Sequence, residues 1–232
     1  MVGISIKENL NKLLFDINEA AQKSGRTGEQ IRLIAVSKLQ SIETMQEALA
    51  AGIENFGENY VQEAVEKFAH FADQTSLQWH FIGHLQTNKV KYLVNKIHWL
   101  HTLDRIDLAK KLSQKTAGGK KINCLIQVNV SGEDQKNGLR EGELAELLDR
   151  AQELPNLKIS GLMTMPPWTS LAEENRQYFC KLKEICDRFK DRLSFPHSLD
   201  HLSMGTSQDF KVAIEEGATM VRVGSSLLGE RN

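Results

Sequence analysis

The stretch IRLIAVSKLQSIETMQEALAAGIENF, residues 31–56, contains the structural unit from which the fold can be predicted. Its apolar run at 31–36 has the length and composition of a buried strand. Apolar residues then recur at helical spacing over 41–51, and Ser41 is a suitable residue to cap the start of that helix. A second short strand is predicted at 54–56. A strand, a helix and a strand in this order form a parallel βαβ unit.

The same alternation continues along the chain. We predict strands at 31–36, 54–56, 77–82, 97–101, 121–129, 157–162, 198–202 and 219–223. We predict helices between them at 41–51, 59–70, 87–95, 104–115, 141–153, 172–191 and 206–216. An extra amphipathic helix begins near Ile6 and ends near Gly25. The pattern predicts an α/β fold, a (β/α)8 TIM barrel forming one domain over 1–232, and an open doubly wound sheet is the alternative.

Composition excludes several classes of protein. The chain has 29 basic and 30 acidic residues, so it lacks the basic excess of a nucleic-acid-binding protein. Its cysteines, Cys124, Cys180 and Cys186, form no CxxC pair, which argues against a disulfide framework and a cysteine zinc site. Lys7 and Glu8 interrupt the N-terminus, unlike a signal peptide, and the apolar runs are too short to cross a bilayer. We therefore expect a cytoplasmic protein that binds neither nucleic acid nor membranes.

Lys38 directly follows the first predicted strand. In a (β/α)8 barrel the site lies at the carboxyl ends of the strands, so its amine would lie at the barrel mouth. Partial desolvation favours the neutral amine, which can attack an aldehyde and form an imine. The alternative is a lysine that simply extends from a strand end to solvent.

The segment VRVGSSLLG, residues 221–229, ends the last predicted strand. Barrels often bind phosphate here, and the amides of Gly224 and Ser225 could receive it at a helix start, although a plain turn is the alternative. A lysine combined with a phosphate site indicates pyridoxal 5′-phosphate (PLP) or a Schiff-base aldolase for sugar phosphates. Arg222 favours PLP, because an arginine facing the pyridine nitrogen leaves that nitrogen unprotonated and the ring a poor electron sink.

A metal site is not expected. His80 and His84 lie four residues apart, but they fall in a predicted strand and loop, whereas an HxxxH pair needs a helix to reach one ion. No acidic or cysteine residues complete a zinc ligand set, so His80 is interpreted as a packed strand residue.

The sequence resembles the pyridoxal phosphate homeostasis protein family, which is similar to the barrel domain of alanine racemase. The matching stretches are LIAVSK (33–38), NFGENYVQEA (55–64), WHFIGHLQTNK (79–89), QVNVSGEDQKNG (127–138), GLMTMP (161–166), LSMGTSQD (202–209) and TMVRVGSSLLG (219–229). They occur in order over nearly the whole chain. Thr206 is a departure, because methionine is common at this position in the family.

The resemblance implies a role for particular residues. Lys38 would carry PLP as a Schiff base, Asn59 would lie beside the ring, and Arg222 would lie near the pyridine nitrogen. The implied phosphate contacts are Ser203, Gly224 and Ser225. Two further residues, Met163 and His84, would line the pocket. Lys136 would help to handle the cofactor.

Three functions remain as alternatives. The first is a monomeric PLP-binding protein of intracellular PLP homeostasis, without substrate turnover, whose candidate partners are PLP-dependent apo-enzymes. The second is a PLP-dependent amino-acid racemase, which needs a second base on the opposite face of the ring. The related racemases take that base, a tyrosine, from a second domain, and Tyr60, Tyr92 and Tyr178 of this chain all fall in predicted helices. The third is a Schiff-base aldolase.

Overall fold

Eight parallel strands close into a barrel in the order in which they occur along the chain. The computed structural model describes residues 5–116, 120–133 and 135–230. The strands are β1 (Arg32–Val36), β2 (Asn55–Glu58), β3 (Gln78–Phe81), β4 (Trp99–Leu103), β5 (Ile122–Gln127), β6 (Leu157–Met163), β7 (His201–Thr206) and β8 (Met220–Val223). Pairing of β1 with β8, in which Leu33 lies opposite Val221, closes the sheet. The predicted barrel is therefore confirmed over the open doubly wound sheet.

Helices occupy the connections between successive strands, and two further helices precede the first strand and follow the last. They are α1 (Ile6–Lys23), α2 (Ile42–Ala50), α3 (Val61–His70), α4 (Val90–Leu93), α5 (Ile106–Lys115), α6 (Glu141–Gln152), α7 (Arg176–Phe189), α8 (Phe210–Glu215) and α9 (Ser225–Leu228). The extra helix α1 precedes β1 as predicted. Ser5 and Glu8 form a capping box at its start, and its apolar face packs against α8 and α9. Within the described residues, no helix combines the length and the apolar character needed to span a membrane.

Four predicted strands end too early. The strands predicted at 97–101 and 157–162 continue to Leu103 and Met163. β2 continues through Gly57 and Glu58, and β7 is His201–Thr206 where 198–202 was predicted. In β2 and β7 most of the added residues are polar or glycine, which in sequence are typical of loops, and Met204 is the apolar exception. In this closed barrel all of them except the partly buried Thr206 are buried, because interior polar groups such as Ser203 bond to one another instead of to water.

Three predicted helices are shorter than expected. The predicted helix 87–95 is a 3-10 turn over Thr87–Lys89 followed by the four residues of α4. The helix predicted at 206–216 begins only at Phe210, since β7 extends to Thr206. Tyr60, predicted within a helix, instead has an extended backbone and precedes α3.

The barrel interior holds a small apolar cluster alongside buried polar side chains such as His80, His101 and Ser203. The members of the apolar cluster are Ile34, Trp99, Leu125, Met163 and Met220. A larger apolar core lies between the sheet and the surrounding helices. Interior side chains support the carboxyl ends of the strands, and it is there that the polar side chains of the next section gather.

Candidate functional site

A cavity of about 850 Å³ opens at the carboxyl ends of the strands. Of the eight residues predicted to bind a cofactor, seven line it: Lys38, Asn59, His84, Met163, Arg222, Gly224 and Ser225. Lys136 also lines it. The eighth predicted residue, Ser203, does not. The barrel thus brings residues from distant parts of the chain to one mouth.

Lys38 lies in the turn that follows β1, with its side chain partly buried at the cavity. Asn59 follows β2, and its Oδ1 atom is buried without a hydrogen-bond partner among the described groups. A buried amide oxygen without a partner is costly unless a ligand donates to it. The backbone here is tightly packed, because a Cβ placed on Gly83 would come within 2.1 Å of the Asn59 carbonyl oxygen.

Arg222 is a buried cation on β8. Its guanidinium donates to Ser203 Oγ at 2.5 Å and to the Thr164 carbonyl at 3.0 Å, and it contacts Met165 Sδ at 2.9 Å. Burial lowers the pKa of Arg222 to about 10, which leaves it protonated near neutral pH. In the described part of the chain no carboxylate forms an ion pair with it, so its charge is available to an electron-rich ligand.

Ser203 lies beneath the cavity, where it begins a chain of hydrogen bonds through the barrel. Its Oγ meets His101 Nδ1 at 2.9 Å, His101 Nε2 meets His80 Nδ1 at 2.9 Å, and His80 Nε2 meets Asn55 Oδ1 at 3.1 Å. Burial lowers the pKa of both imidazoles well below 6.5, so both are neutral. With every donor directed toward Asn55, each group in the chain is satisfied.

The far end of the cavity is built from β7 and β8. The Gly224 amide donates to Ser207 Oγ at 3.3 Å, and Gly224, Ser225, Thr206 and Ser207 all line this end. Thr206 is fixed by its own hydroxyl, which donates to Asp209 Oδ1 at 3.0 Å. The predicted helix start is present, but α9 has only four residues, so backbone amides and hydroxyls, rather than a helix dipole, would bind an anion here.

Ser207 was missed by the sequence analysis, which selected Ser203 instead. Ser203 was implied by the resemblance, and a strand predicted to end at residue 202 also put Ser203 first at the mouth. The strand in fact ends at Thr206, so Ser207 is the first residue beyond it. The apolar and polar alternation of Leu202, Ser203 and Met204 was the sequence signal that could have extended the strand.

The remaining predicted residues surround the opening. Met163 ends β6 and is buried in the floor. His84 lies at the edge, with Nδ1 3.5 Å from Asp104 Oδ2. Lys136 lies in the connection after β5 and pairs with Glu133, Nζ to Oε2, at 2.9 Å.

The described residues suit PLP chemically. A lysine amine, a cationic guanidinium and a polar end with an amide and hydroxyls match an aldehyde, a pyridine nitrogen and a phosphate, respectively. Asn59 Oδ1 offers a further buried acceptor. His80 and His84, by contrast, belong to no metal set, as no group of three or more potential ligand residues occurs in the ranges described.

Comparison with known proteins agrees with this architecture. The family model for the alanine racemase N-terminal domain matches residues 9–232. A pyridoxal phosphate homeostasis protein of Aquifex aeolicus is 44% identical over 225 residues, which is 97% of each chain. PipY of Synechococcus elongatus, solved without PLP, has a TM-score of 0.86 and 33% identity, covering 97% of this chain and 100% of its own.

PipY has also been solved with PLP bound. That structure gives a TM-score of 0.80 at 34% identity, covering 92% of this chain and 100% of PipY. Near-complete coverage at these sequence identities indicates membership of one family, and not only a shared fold. The chain belongs to the pyridoxal phosphate homeostasis protein family, whose barrel is that of the alanine racemase N-terminal domain.

Proposed function

We propose that this protein binds PLP in the barrel-mouth cavity, holds it as a Schiff base on Lys38, and serves PLP homeostasis without turning over a substrate. One observation carries the proposal: Lys38, Arg222 and Gly224 line the same cavity. The PLP-bound structure of PipY and the names of the curated relatives support the choice of ligand.

Bound PLP would supply an aldehyde for capture and a ring able to accept electrons. Lys38 provides the amine that captures the aldehyde, with loss of water. Asn59 lies where it can accept a hydrogen bond beside the ring, and Ser207, Gly224 and Ser225 form the polar end for the phosphate. Ser203 acts from below, by accepting a hydrogen bond from Arg222.

Arg222 argues against turnover. A buried guanidinium facing the pyridine nitrogen would keep that nitrogen unprotonated, which weakens the ring as an electron sink. The racemase alternative also needs a second base, and among the described residues none of Tyr60, Tyr92 and Tyr178 lines the cavity. A PLP carrier that captures and releases the cofactor agrees better with this arrangement.

The binding test adds PLP to the purified protein, reduces it with borohydride and maps the labelled peptide. We expect a visible absorption band and label on Lys38. Lys38→Ala should fold but lose both, whereas Lys136→Ala is the matched control, a second cavity lysine that should leave the label in place. Label on another lysine, or none, would overturn the assignment.

The turnover test incubates PLP-loaded protein with L-alanine and follows both enantiomers and keto acids. We expect no product at an enzyme-like rate. Formation of D-alanine at ~1 s⁻¹ or faster, the low end of ordinary enzymes, would establish the racemase alternative, and keto acid formed at such a rate would also overturn the proposal of no turnover.

We further propose that the protein acts in the cytoplasm as a monomer and passes PLP to PLP-dependent apo-enzymes. The open rim supports direct access, since Trp168 lines the cavity yet is 78% exposed. Mixing the loaded protein with an apo-transaminase should restore transaminase activity faster than free PLP at the same concentration. Equal rates of reactivation by the loaded protein and by free PLP would overturn the proposed transfer.

A further inference from the structure

Lys67 is an unusual helix lysine because it is almost completely buried. It lies on α3 and is only 3% exposed. Its Nζ donates to three oxygens, the Ser37 carbonyl at 2.6 Å, Glu58 Oε1 at 2.8 Å and Glu63 Oε1 at 2.6 Å. The ammonium therefore joins the end of β1, the end of β2 and the first turn of α3.

These contacts fix the backbone on both sides of Lys38. On the preceding side, the Ser37 hydroxyl donates to Glu58 Oε1 at 2.6 Å while its carbonyl binds Lys67. On the following side, the Leu39 amide donates to Glu63 Oε1 at 2.6 Å. We name Ser37, Glu58, Glu63 and Lys67 the Lys67 cluster.

The turn that the cluster holds is strained. Leu39 has φ of 59°, in the left-handed region that disfavours a leucine. Its side chain is 52% exposed, so burial contributes little to hold it there. The bond from its amide to Glu63 is the contact that offsets this cost.

Stability alone does not explain such a cluster. Burying the Glu58 carboxylate and the Lys67 ammonium, and partly burying Glu63, costs desolvation, and apolar side chains of similar size often serve stability as well. Glu58 Oε2 also has no hydrogen-bond partner among the described groups, so the cluster is incompletely satisfied. What it does provide is a defined geometry for the turn, and Asn59, the next residue after Glu58, is fixed from the same point.

We propose that Lys67 is a positioning residue for Lys38, holding the turn at residues 37–39 so that the Lys38 amine faces the cofactor aldehyde. The inference rests on the proposed function. In the step concerned, the neutral Lys38 amine forms a C=N bond with the aldehyde carbon, the C=O bond breaks, and the oxygen leaves as water with the two amine protons, so no oxidant or reductant is needed. Correct placement of the amine accelerates this step, because small misplacements of reacting groups are costly in rate.

The experiment measures the rate at which the visible band forms after PLP is added to the apo-protein, together with the melting temperature. The variants are Lys67→Met and Lys67→Arg, with Lys211→Met as the matched control, since Lys211 forms an exposed ion pair with Asp16. We expect Lys67→Met to slow band formation by at least ~10-fold. Lys67→Arg should recover part of the rate, and Lys211→Met should keep all of it.

Should Lys67→Met fail to fold, Glu63→Ala decides, because it removes the acceptor shared by the Leu39 amide and Lys67, at a side chain that is 20% exposed, and leaves the bonds of Lys67 to Glu58 and to the Ser37 carbonyl. It should likewise slow band formation. A lower melting temperature with the wild-type rate in the folded variants would overturn the inference and leave a purely structural cluster. Failure of the wild-type protein to form the band would instead overturn the proposed function, and the inference with it.

Discussion

Arg222 donates to Ser203 Oγ at 2.5 Å, and the same oxygen lies 2.9 Å from His101 Nδ1. The cation at the cavity is thus joined to a neutral imidazole deep in the barrel. Since the Ser203 hydroxyl accepts a hydrogen bond from the guanidinium, the proton of that hydroxyl is directed to His101. The orientation of Arg222 therefore depends on Ser203, which no ligand needs to contact.

Ser203→Ala should therefore weaken PLP binding indirectly. The substitution leaves one Arg222 N–H and one His101 nitrogen without partners, at a cost of about 1–3 kcal/mol in unfolding free energy. Urea unfolding and PLP dissociation measure the two effects. Ser160→Ala is the control, since Ser160 is equally buried but bonds to Asn123. Equal PLP affinity in both variants would show that Ser203 does not act on the site.

Ser207→Ala and Ser225→Ala should each weaken PLP retention directly. A hydrogen bond to a charged group contributes ~1.5–3 kcal/mol, so each dissociation constant should rise by roughly one to two decades. Ser226→Ala is the control, because Ser226 is the exposed neighbour of Ser225 and does not line the cavity. Equilibrium dialysis measures retention, and unchanged values for Ser207→Ala and Ser225→Ala would remove this end of the cavity from the phosphate site.

Gly83→Ala should disturb the site through the backbone. The new Cβ would lie 2.1 Å from the Asn59 carbonyl oxygen, so β3 or the residue after β2 must move. We expect a lower melting temperature and weaker PLP binding. Gly142→Ala, in α6, meets nothing within 4 Å and should raise stability by about 0.5–1 kcal/mol. Wild-type PLP affinity in Gly83→Ala would contradict the proposed role of Asn59 in binding PLP.

Stability should fall as the pH drops below about 6.5. His80 and His101 stay neutral in the folded barrel because burial lowers their pKa, whereas in the unfolded chain they take up protons. Each histidine should lower the unfolding free energy by on the order of 1 kcal/mol between pH 7.5 and 5.5. The groups facing them are charged or basic: Arg32, His98, Arg222 and His201.

Urea unfolding at the two pH values tests this directly. His101→Gln should be less stable overall but show a smaller loss between pH 7.5 and 5.5. His70→Asn, at an exposed histidine, should retain the wild-type difference. Comparing the variants cancels the contribution of the other histidines to the pH dependence of the unfolding free energy. An unchanged difference between the two pH values in His101→Gln would refute a neutral His101 in the folded barrel.

The barrel could be predicted because strand and helix periods differ, and strict alternation allows few topologies. Lys38 and Arg222 were found since their positions depend only on the ends of apolar strands. The interpretation of His80 as a packed strand residue is confirmed, as it is 1% exposed. In contrast, Glu58 and Lys67 read as ordinary surface charges, because burial of a charge depends on partners brought together by folding. His101 gave no signal either, because its hydrogen-bond partners are also brought together only by folding.

Closure of the barrel joins the first and last strands, and the proposed ligand lies over that seam. Lys38 follows β1, and Gly224 follows β8, its neighbour in the sheet. A molecule held at both places would tie together the two strands farthest apart in the sequence. Separation of β1 from β8 would release the molecule, so cofactor occupancy would report whether the barrel is closed. A chain still being synthesised could not retain PLP before β8 had paired with β1.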